Sequence, residues 1–152
     1  MAANTSPIFS LTPNVGIVKL TTTWASVKSD GTCAQSGADS MGKVFTSGTN
    51  GSFLQRVRFN TVANTANTTG VATVLRVYLS TVTSGATAAA DTQLLAEISV
   101  PAIASDHSTN GTNFYEVPLN IAIPTARYIY VSQHVAQTTN QQWQATAFGG
   151  DY

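Results

Sequence analysis

Residues 52–61 read SFLQRVRFNT, and this stretch indicates the fold of the chain most clearly. Phe53, Val57 and Phe59 fall on one side of an extended backbone, because side chains of a β-strand alternate between its two faces. An alternating apolar pattern of this length predicts a half-buried strand. An Asn-Gly pair at positions 50–51 precedes it, and this pair favours the positive φ angles of a two-residue hairpin.

The same alternation recurs along the chain, and no segment has the apolar period of a helix. Short connections rich in Gly, Asn, Ser and Thr separate the alternating segments, as turns require. Eight apolar faces are buried together most simply by two packed sheets, so we expect an all-β, single-domain antiparallel β-sandwich of jelly-roll type. The eight predicted strands are Val15–Trp24, Gly42–Thr46, Ser52–Thr61, Gly70–Thr81, Gln93–Val100, Asn113–Ile123, Arg127–Val135 and Gln141–Phe148.

The composition is poor in charge and rich in hydroxyl groups. Asp, Glu, Lys and Arg make up 9% of the 152 residues, whereas they make up roughly 25% of an ordinary domain. The seven basic and seven acidic residues balance, so we expect neither a nucleic acid nor a membrane as partner. A weakly charged surface favours contact with other proteins, because little charge must be desolvated when the two surfaces meet.

Residue types that carry catalysis are few. His107 and His134 are the only histidines, and no Gly-x-Ser-x-Gly motif is present. Glu97 and Glu116 are the only glutamates, and alternation predicts that both face away from the core. Cys33 is the single cysteine, which excludes an internal disulfide. We therefore expect no catalytic residues, no metal site and no cofactor, hence a protein that is not an enzyme.

Two features of the sequence are candidates for contact with another protein. Residues 1–14 are expected to form an extended, apolar N-terminal arm, followed by a sandwich domain at residues 15–152. The second feature is an outward face, half apolar and half charged, that forms if consecutive strands pair. An exposed ladder with Arg–Glu pairing explains that face equally well. The residues predicted to contact a partner are Pro7, Ile8, Phe9, Leu11, Leu54, Arg56, Arg58, Val74, Arg76 and Tyr78.

Aromatic residues near the end of the chain suggest an alternative function. Tyr128 and Tyr130 alternate onto one face, and Trp143 lies on the next predicted strand. Flat rings beside amides suit sugars, so a receptor- or glycan-binding module is the alternative hypothesis. Large rings also pack against a second sheet or a neighbouring subunit. Residues 149–152, GGDY, follow the last predicted strand and are interpreted as a second arm.

Five segments carry a family resemblance: AANTSPIF at 2–9, TP at 12–13, NGSFLQR at 50–56, RVYL at 76–79 and GGDY at 149–152. The chain resembles small virion proteins of tailed bacteriophages in these segments. The resemblance implies a head decoration, or cement, protein, and under it the alternative is a receptor- or glycan-binding module of a phage tail or head fibre. A decoration protein is a small β-sandwich, often a homotrimer, that binds the major capsid protein on the outer surface of the shell. Assembly in the host cytoplasm agrees with the N-terminal residues, which do not resemble an export signal.

Overall fold

The computed structural model describes residues 10–20, 28–30, 32, 40–63, 68–84, 88–102, 104–105, 114–138 and 141–152. These residues contain no helix, and therefore none long and apolar enough to cross a membrane. Their strands are β1 (Thr12–Leu20), β2 (Gly42–Thr46), β3 (Ser52–Ala63), β4 (Thr68–Thr69), β5 (Thr73–Ser80), β6 (Thr92–Val100), β7 (Ala104–Ser105), β8 (Phe114–Ile123), β9 (Tyr128–Gln133) and β10 (Gln141–Asp151).

Eight of these strands form two antiparallel sheets of four. Sheet 1 has the order β1-β10-β3-β8 and sheet 2 the order β2-β9-β5-β6, while the two-residue strands β4 and β7 pair separately. The pairing is nested, because β1 pairs with β10, β2 with β9, β3 with β8 and β5 with β6. The predicted all-β antiparallel sandwich of about eight strands is confirmed.

The hydrophobic core lies between the two sheets, as alternation along each strand requires. Trp143 on β10 is fully buried and meets Tyr115 on β8 edge to face, with ring centroids 5.9 Å apart. The other fully buried large apolar side chains of this core are Leu20, Leu54, Val57, Phe59, Leu75, Val77, Ile123, Ile129 and Val131. Both sheets contribute to this set, so neither sheet buries its apolar face alone.

The first two strands pass each other closely at one edge of the sandwich. A Cβ atom on Gly16 of β1 would lie 1.7 Å from the carbonyl oxygen of Val44 on β2. Beside this contact, the Asn14 side-chain amide donates a 3.0 Å hydrogen bond to the Thr46 carbonyl. Glycine is therefore required at position 16, because any side chain would collide with backbone.

The start of the first strand and the end of the last strand differ from the prediction. β1 begins at Thr12, so residues 12–14 belong to the sandwich and not to an arm that ends at residue 14. β10 continues to Asp151, and Gly149 and Gly150 pair with β3. The prediction of a second arm at 149–152 is wrong, because main-chain pairing needs no apolar side chains and the glycines gave no strand signal. Pro7, Ile8 and Phe9 lie outside the described residues.

The Asn-Gly pair makes a turn but not the predicted hairpin. The Gly51 amide donates a 3.0 Å hydrogen bond to the Gly48 carbonyl, and Gly51 has a φ of 89°. The strands on either side, β2 and β3, lie in different sheets. This turn therefore carries the chain from sheet 2 to sheet 1. The prediction was wrong about pairing, because burial of distant strands decides the partner and a local turn preference does not.

Candidate binding surface on the outer face of sheet 1

Exposed apolar side chains concentrate on sheet 1. Among the described residues, the exposed large hydrophobic side chains are Leu11, Val15, Ile17, Phe114 and Val135. The first four lie on, or directly before, the two edge strands of sheet 1, and Ile17 is 77% exposed. Single exposed apolar residues are common, but a group on one face is typical of a surface that another molecule covers.

Three rows of side chains cross this face in the order β1, β10, β3, β8. They follow from the pairing register of the three strand pairs. The β1 side of the face carries two apolar residues and one lysine, and the β3–β8 side carries the other three charges. The rows are Val15-Phe148-Arg56-Pro118, Ile17-Thr146-Arg58-Glu116 and Lys19-Gln144-Asn60-Phe114. We call these twelve positions the outer face of sheet 1.

Two arginines on this face lie between aromatic rings and one carboxylate. The Arg56 guanidinium is 4.5 Å from the Phe148 ring centroid, and that of Arg58 is 5.0 Å from the Phe114 centroid. Arg58 Nε donates a 2.7 Å hydrogen bond to Glu116 Oε1. Arg56 Nε lies 3.2 Å from the same oxygen, in an ion pair without hydrogen-bond geometry. The Glu116 carboxylate thus forms ion pairs with both guanidinium groups, and the three side chains together carry one net positive charge.

A shallow groove of about 210 Å³ lies on the β1 side of the face, between β1 and β10. Ile17 forms one wall, and Gln144 and Thr146 form the other. Lys19 lies at the same groove. The groove is open along the sheet, so it fits a side chain of another protein better than it fits an enclosed small molecule.

The predicted outward direction of Leu54 is wrong. Its side chain is fully buried in the core, whereas Arg56 and Arg58 lie on the outer face as alternation predicts. The reason is a β-bulge, since the register with β8 shifts between Leu54 and Arg56. A bulge adds one residue and reverses the alternation, so Leu54 and Val57 both face inward.

The predicted contact residues of β5 do not join those of β3. β5 lies in sheet 2, so the condition that these two strands pair is not met and no continuous face forms across them. Tyr78 is fully buried with Met41 and Tyr130 in a second cluster on the outer side of sheet 2, and its hydroxyl donates to the Lys28 carbonyl at 3.2 Å. The chain's own loops cover Tyr78, while Val74 is half-buried. Alternation cannot predict that loops cover Tyr78, since it predicts only on which side of the strand a side chain lies.

Arg76 belongs to a polar network at the same sheet and is only 7% exposed. Its Nε donates to Glu97 Oε2 at 3.2 Å, and its Nη1 lies 3.3 Å from Nδ1 of His134. A guanidinium has donors only, so Nδ1 of His134 is the acceptor. Burial raises the pKa of the neighbouring Tyr78, against weaker opposing effects of a Ser132 hydrogen bond and of Arg76. Arg76 is thus held inside the molecule, which makes it a poor candidate for partner contact.

The predicted sugar-binding aromatics do not share an exposed face. Tyr130 is 1% exposed, and its hydroxyl lies 3.0 Å from the Val82 carbonyl and 2.9 Å from that of Ser84. Tyr128 is half-buried, and Trp143 lies in the core. The expectation that Tyr130 is an open platform is wrong, because the loop after β5 covers it.

The sequence did not identify Val15 and Ile17 as surface residues. Val18 and Leu20 on the other side of the same strand are equally apolar, so the pattern cannot tell which side faces the core. His107 and Cys33 lie outside the described residues. Within the part of the chain that the structure describes, no group of three or more His, Cys, Asp or Glu side chains is placed to hold a metal ion.

Comparison with known proteins yields no relative, since no family model, no curated protein and no solved structure matches this chain.

Proposed function

We propose that this chain is a structural protein that binds another protein through the outer face of sheet 1. Its proposed role is that of a decoration or cement subunit on the head of a tailed bacteriophage. The observation that carries the proposal is the concentration of exposed apolar side chains there, with Ile17 at 77% and Val15 at 55% exposure. Covering such side chains removes apolar surface from water, which favours association.

The strand order supports the jelly-roll part of the proposal. When β4 and β7 are left out, the remaining eight strands, counted along the chain, have the orders 1-8-3-6 and 2-7-4-5. The first strand pairs with the last, and each later pair is nested inside. Jelly rolls occur in viral capsid domains and also in lectins. The fold agrees with a virion role, and the outer face of sheet 1 carries the proposal.

The proposed mechanism is adhesion to the assembled shell. A decoration subunit that binds across neighbouring major capsid proteins stabilises the assembled shell. Its binding site exists only where two capsid proteins meet and is absent from a separated capsid protein. A homotrimer adds multivalency, since the second and third contacts become intramolecular once the first has formed. The proposed partners are accordingly the major capsid protein and other copies of this chain, on the outer surface of the virion.

Add-back to particles that lack this chain tests the proposal. The purified protein should bind such particles saturably and raise the temperature at which they rupture. Ile17→Thr should weaken binding, because it removes apolar surface and keeps a β-branched side chain. Val135→Thr is the matched control, since Val135 is 40% exposed and lies outside the outer face of sheet 1. Failure of the wild-type protein to bind would refute the proposal.

The proposed trimer has its own test. Sedimentation equilibrium of the purified chain should give about three times the subunit mass of 15.9 kDa. A mass of one subunit at every concentration would reject the trimer and would leave particle binding to be judged by the add-back experiment.

A further inference from the structure

We infer that the outer face of sheet 1 recognises a protein surface that combines carboxylate groups with apolar side chains. This inference depends on the proposed function, because it specifies the chemistry of the partner at the same surface. It follows from an uneven distribution of charge. The chain as a whole is neutral, but the twelve positions of the outer face contain three basic residues and one acidic residue, Lys19, Arg56, Arg58 and Glu116.

Three positive charges and one negative charge leave a net charge of +2 on this face. The side chains of Arg56 and Arg58 are 31% and 36% exposed, so both remain accessible. Arg58 uses Nε and Nη2 for Glu116, which leaves its second terminal nitrogen for another acceptor. Carboxylates match the planar donors of arginine, and the excess charge attracts an acidic partner.

Aromatic rings orient the two guanidinium groups before a partner arrives. Arg56 lies over Phe148, and Arg58 contacts the rings of both Phe114 and Phe148, the latter at 5.8 Å. Cation–π contact restricts the long arginine side chains without consuming their N–H donors. Less side-chain freedom is then lost on binding, so a carboxylate finds an arranged site.

The separation of Ile17 from Arg58 sets a distance that the partner must match. Ile17 and Arg58 belong to the same row and are separated by one strand, β10. Two strand spacings amount to roughly 10 Å. The partner therefore presents an apolar side chain to the groove beside Ile17 and a carboxylate about 10 Å away.

A second copy of the same face is a poor occupant. Two-fold docking would bring a net charge of +2 against +2, and the only acidic residue of the outer face, Glu116, already contacts both arginines. Like charges in contact oppose association. An extended acidic segment or an acidic patch of another protein carries no such penalty.

Titration of the isotope-labelled full chain, followed by NMR, tests the inference with three probes. The probes are a short peptide that repeats Val-Glu-Ser, a matched peptide that repeats Val-Lys-Ser, and oligothymidylate. We expect the acidic peptide to bind, with chemical-shift changes at Ile17 and Arg58, and to dissociate when salt is raised to roughly 0.5 M. Preference for the basic peptide or for oligothymidylate, absence of any binding, or self-association through the same residues would overturn the inference.

Variants sharpen the same experiment. The double substitution Arg56→Gln, Arg58→Gln should weaken binding of the acidic peptide about tenfold. Arg127→Gln removes the same kind of charge outside the outer face and should leave binding unchanged. Glu116→Gln frees both arginines and should strengthen binding, so the inference stays testable if the double variant fails to fold. Unchanged binding in the double variant and in Glu116→Gln would overturn it.

Particle add-back separates this inference from the proposed function. If wild-type protein binds particles and the double arginine variant binds equally well, the acidic-partner inference fails and the decoration role stands. If wild-type protein does not bind particles, the decoration role itself fails.

Discussion

Asn14 donates a 2.9 Å hydrogen bond from its side-chain amide to Oδ1 of Asp151, and so joins the first strand of the sandwich to the last. The same carboxylate oxygen accepts a hydrogen bond from the hydroxyl of Ser52 at the start of β3. The Leu11 amide adds a 2.7 Å hydrogen bond to the Asp151 carbonyl. Three strands that are far apart in the sequence thus meet at one side chain, which closes the end of sheet 1.

This carboxylate should make stability depend on pH. Burial raises the pKa of Asp151, but hydrogen bonds from Asn14, Ser52 and the Gly48 amide outweigh burial and hold the pKa below its usual value. A carboxyl of this kind stabilises the fold above its unfolded pKa of roughly 3.9, and the contribution is lost as pH falls through the folded pKa. Asp151→Asn should therefore reduce the free energy of unfolding at neutral pH, and by less below about pH 4.

Urea denaturation across this pH range measures the effect. Asn14→Ala provides the control. In a protein that carries Asn14→Ala, Asp151→Asn should reduce the free energy of unfolding by less, because one hydrogen-bond donor to Asp151 is already missing. A cost of Asp151→Asn that stays the same from about pH 7 to about pH 2 would contradict the assignment.

Gly16→Ala should destabilise the protein strongly. The new Cβ would meet the Val44 carbonyl at 1.7 Å, and backbone on both sides must move to relieve the clash. We expect a loss of about 2–4 kcal/mol in the free energy of unfolding. Val15→Ala on the exposed side of the same strand should cost less than about 1 kcal/mol. Equal stability of Gly16→Ala and wild type would show that the two strands do not cross as described.

Leu54→Ala tests the bulge in β3. Plain alternation would put Leu54 in solvent and predict almost no effect, whereas its complete burial predicts a loss of about 2–5 kcal/mol. Ile17→Ala is the control, since Ile17 is 77% exposed and should cost less than about 1 kcal/mol. Chemical denaturation of the two variants side by side gives the comparison, and similar small losses would reject the bulge.

Tyr78→Phe tests the loop cover over sheet 2. Loss of the hydroxyl leaves the Lys28 carbonyl without this donor and should cost about 1 kcal/mol. Because burial raises the pKa of Tyr78, the neutral phenol of Tyr78 stabilises the fold below the unfolded-state pKa of roughly 10. This contribution is lost as pH rises through the folded pKa. Absorbance titration of the wild type should show a tyrosine that ionises at higher pH than usual, and this group should be missing from Tyr78→Phe. Identical titration curves of the high-pH tyrosines in the two proteins would refute the burial of Tyr78.

The sequence predicted the apolar face of each strand more accurately than it predicted which strands pair. The alternation of Val57 with Phe59, and of Leu75 with Val77, correctly identified core residues on β3 and β5. The same pattern says nothing about partners: the consecutive strands β5 and β6 pair, whereas β3 and β5 lie in different sheets. Nested pairing joins residues more than a hundred positions apart, as Asn14 and Asp151 show. Such contacts depend on burial of the whole chain, which no short window of sequence reports.

The binding surface was predictable only in part. Arg56 and Arg58 were expected to face outward, and they do. Ile17 was not expected there, because both sides of β1 are apolar and only the packing against sheet 2 decides between them. Tyr78 was expected to be open and is covered by a loop, an arrangement that leaves no periodic signal.

The proposed decoration role is tested most directly by cryo-electron microscopy of the phage head that this proposal assigns to the chain. We expect the sandwich on the outside of the head shell, with Ile17 and Arg58 of the outer face of sheet 1 in contact with the major capsid protein. A shell without this subunit, or a subunit whose outer face of sheet 1 is turned to solvent, would contradict it.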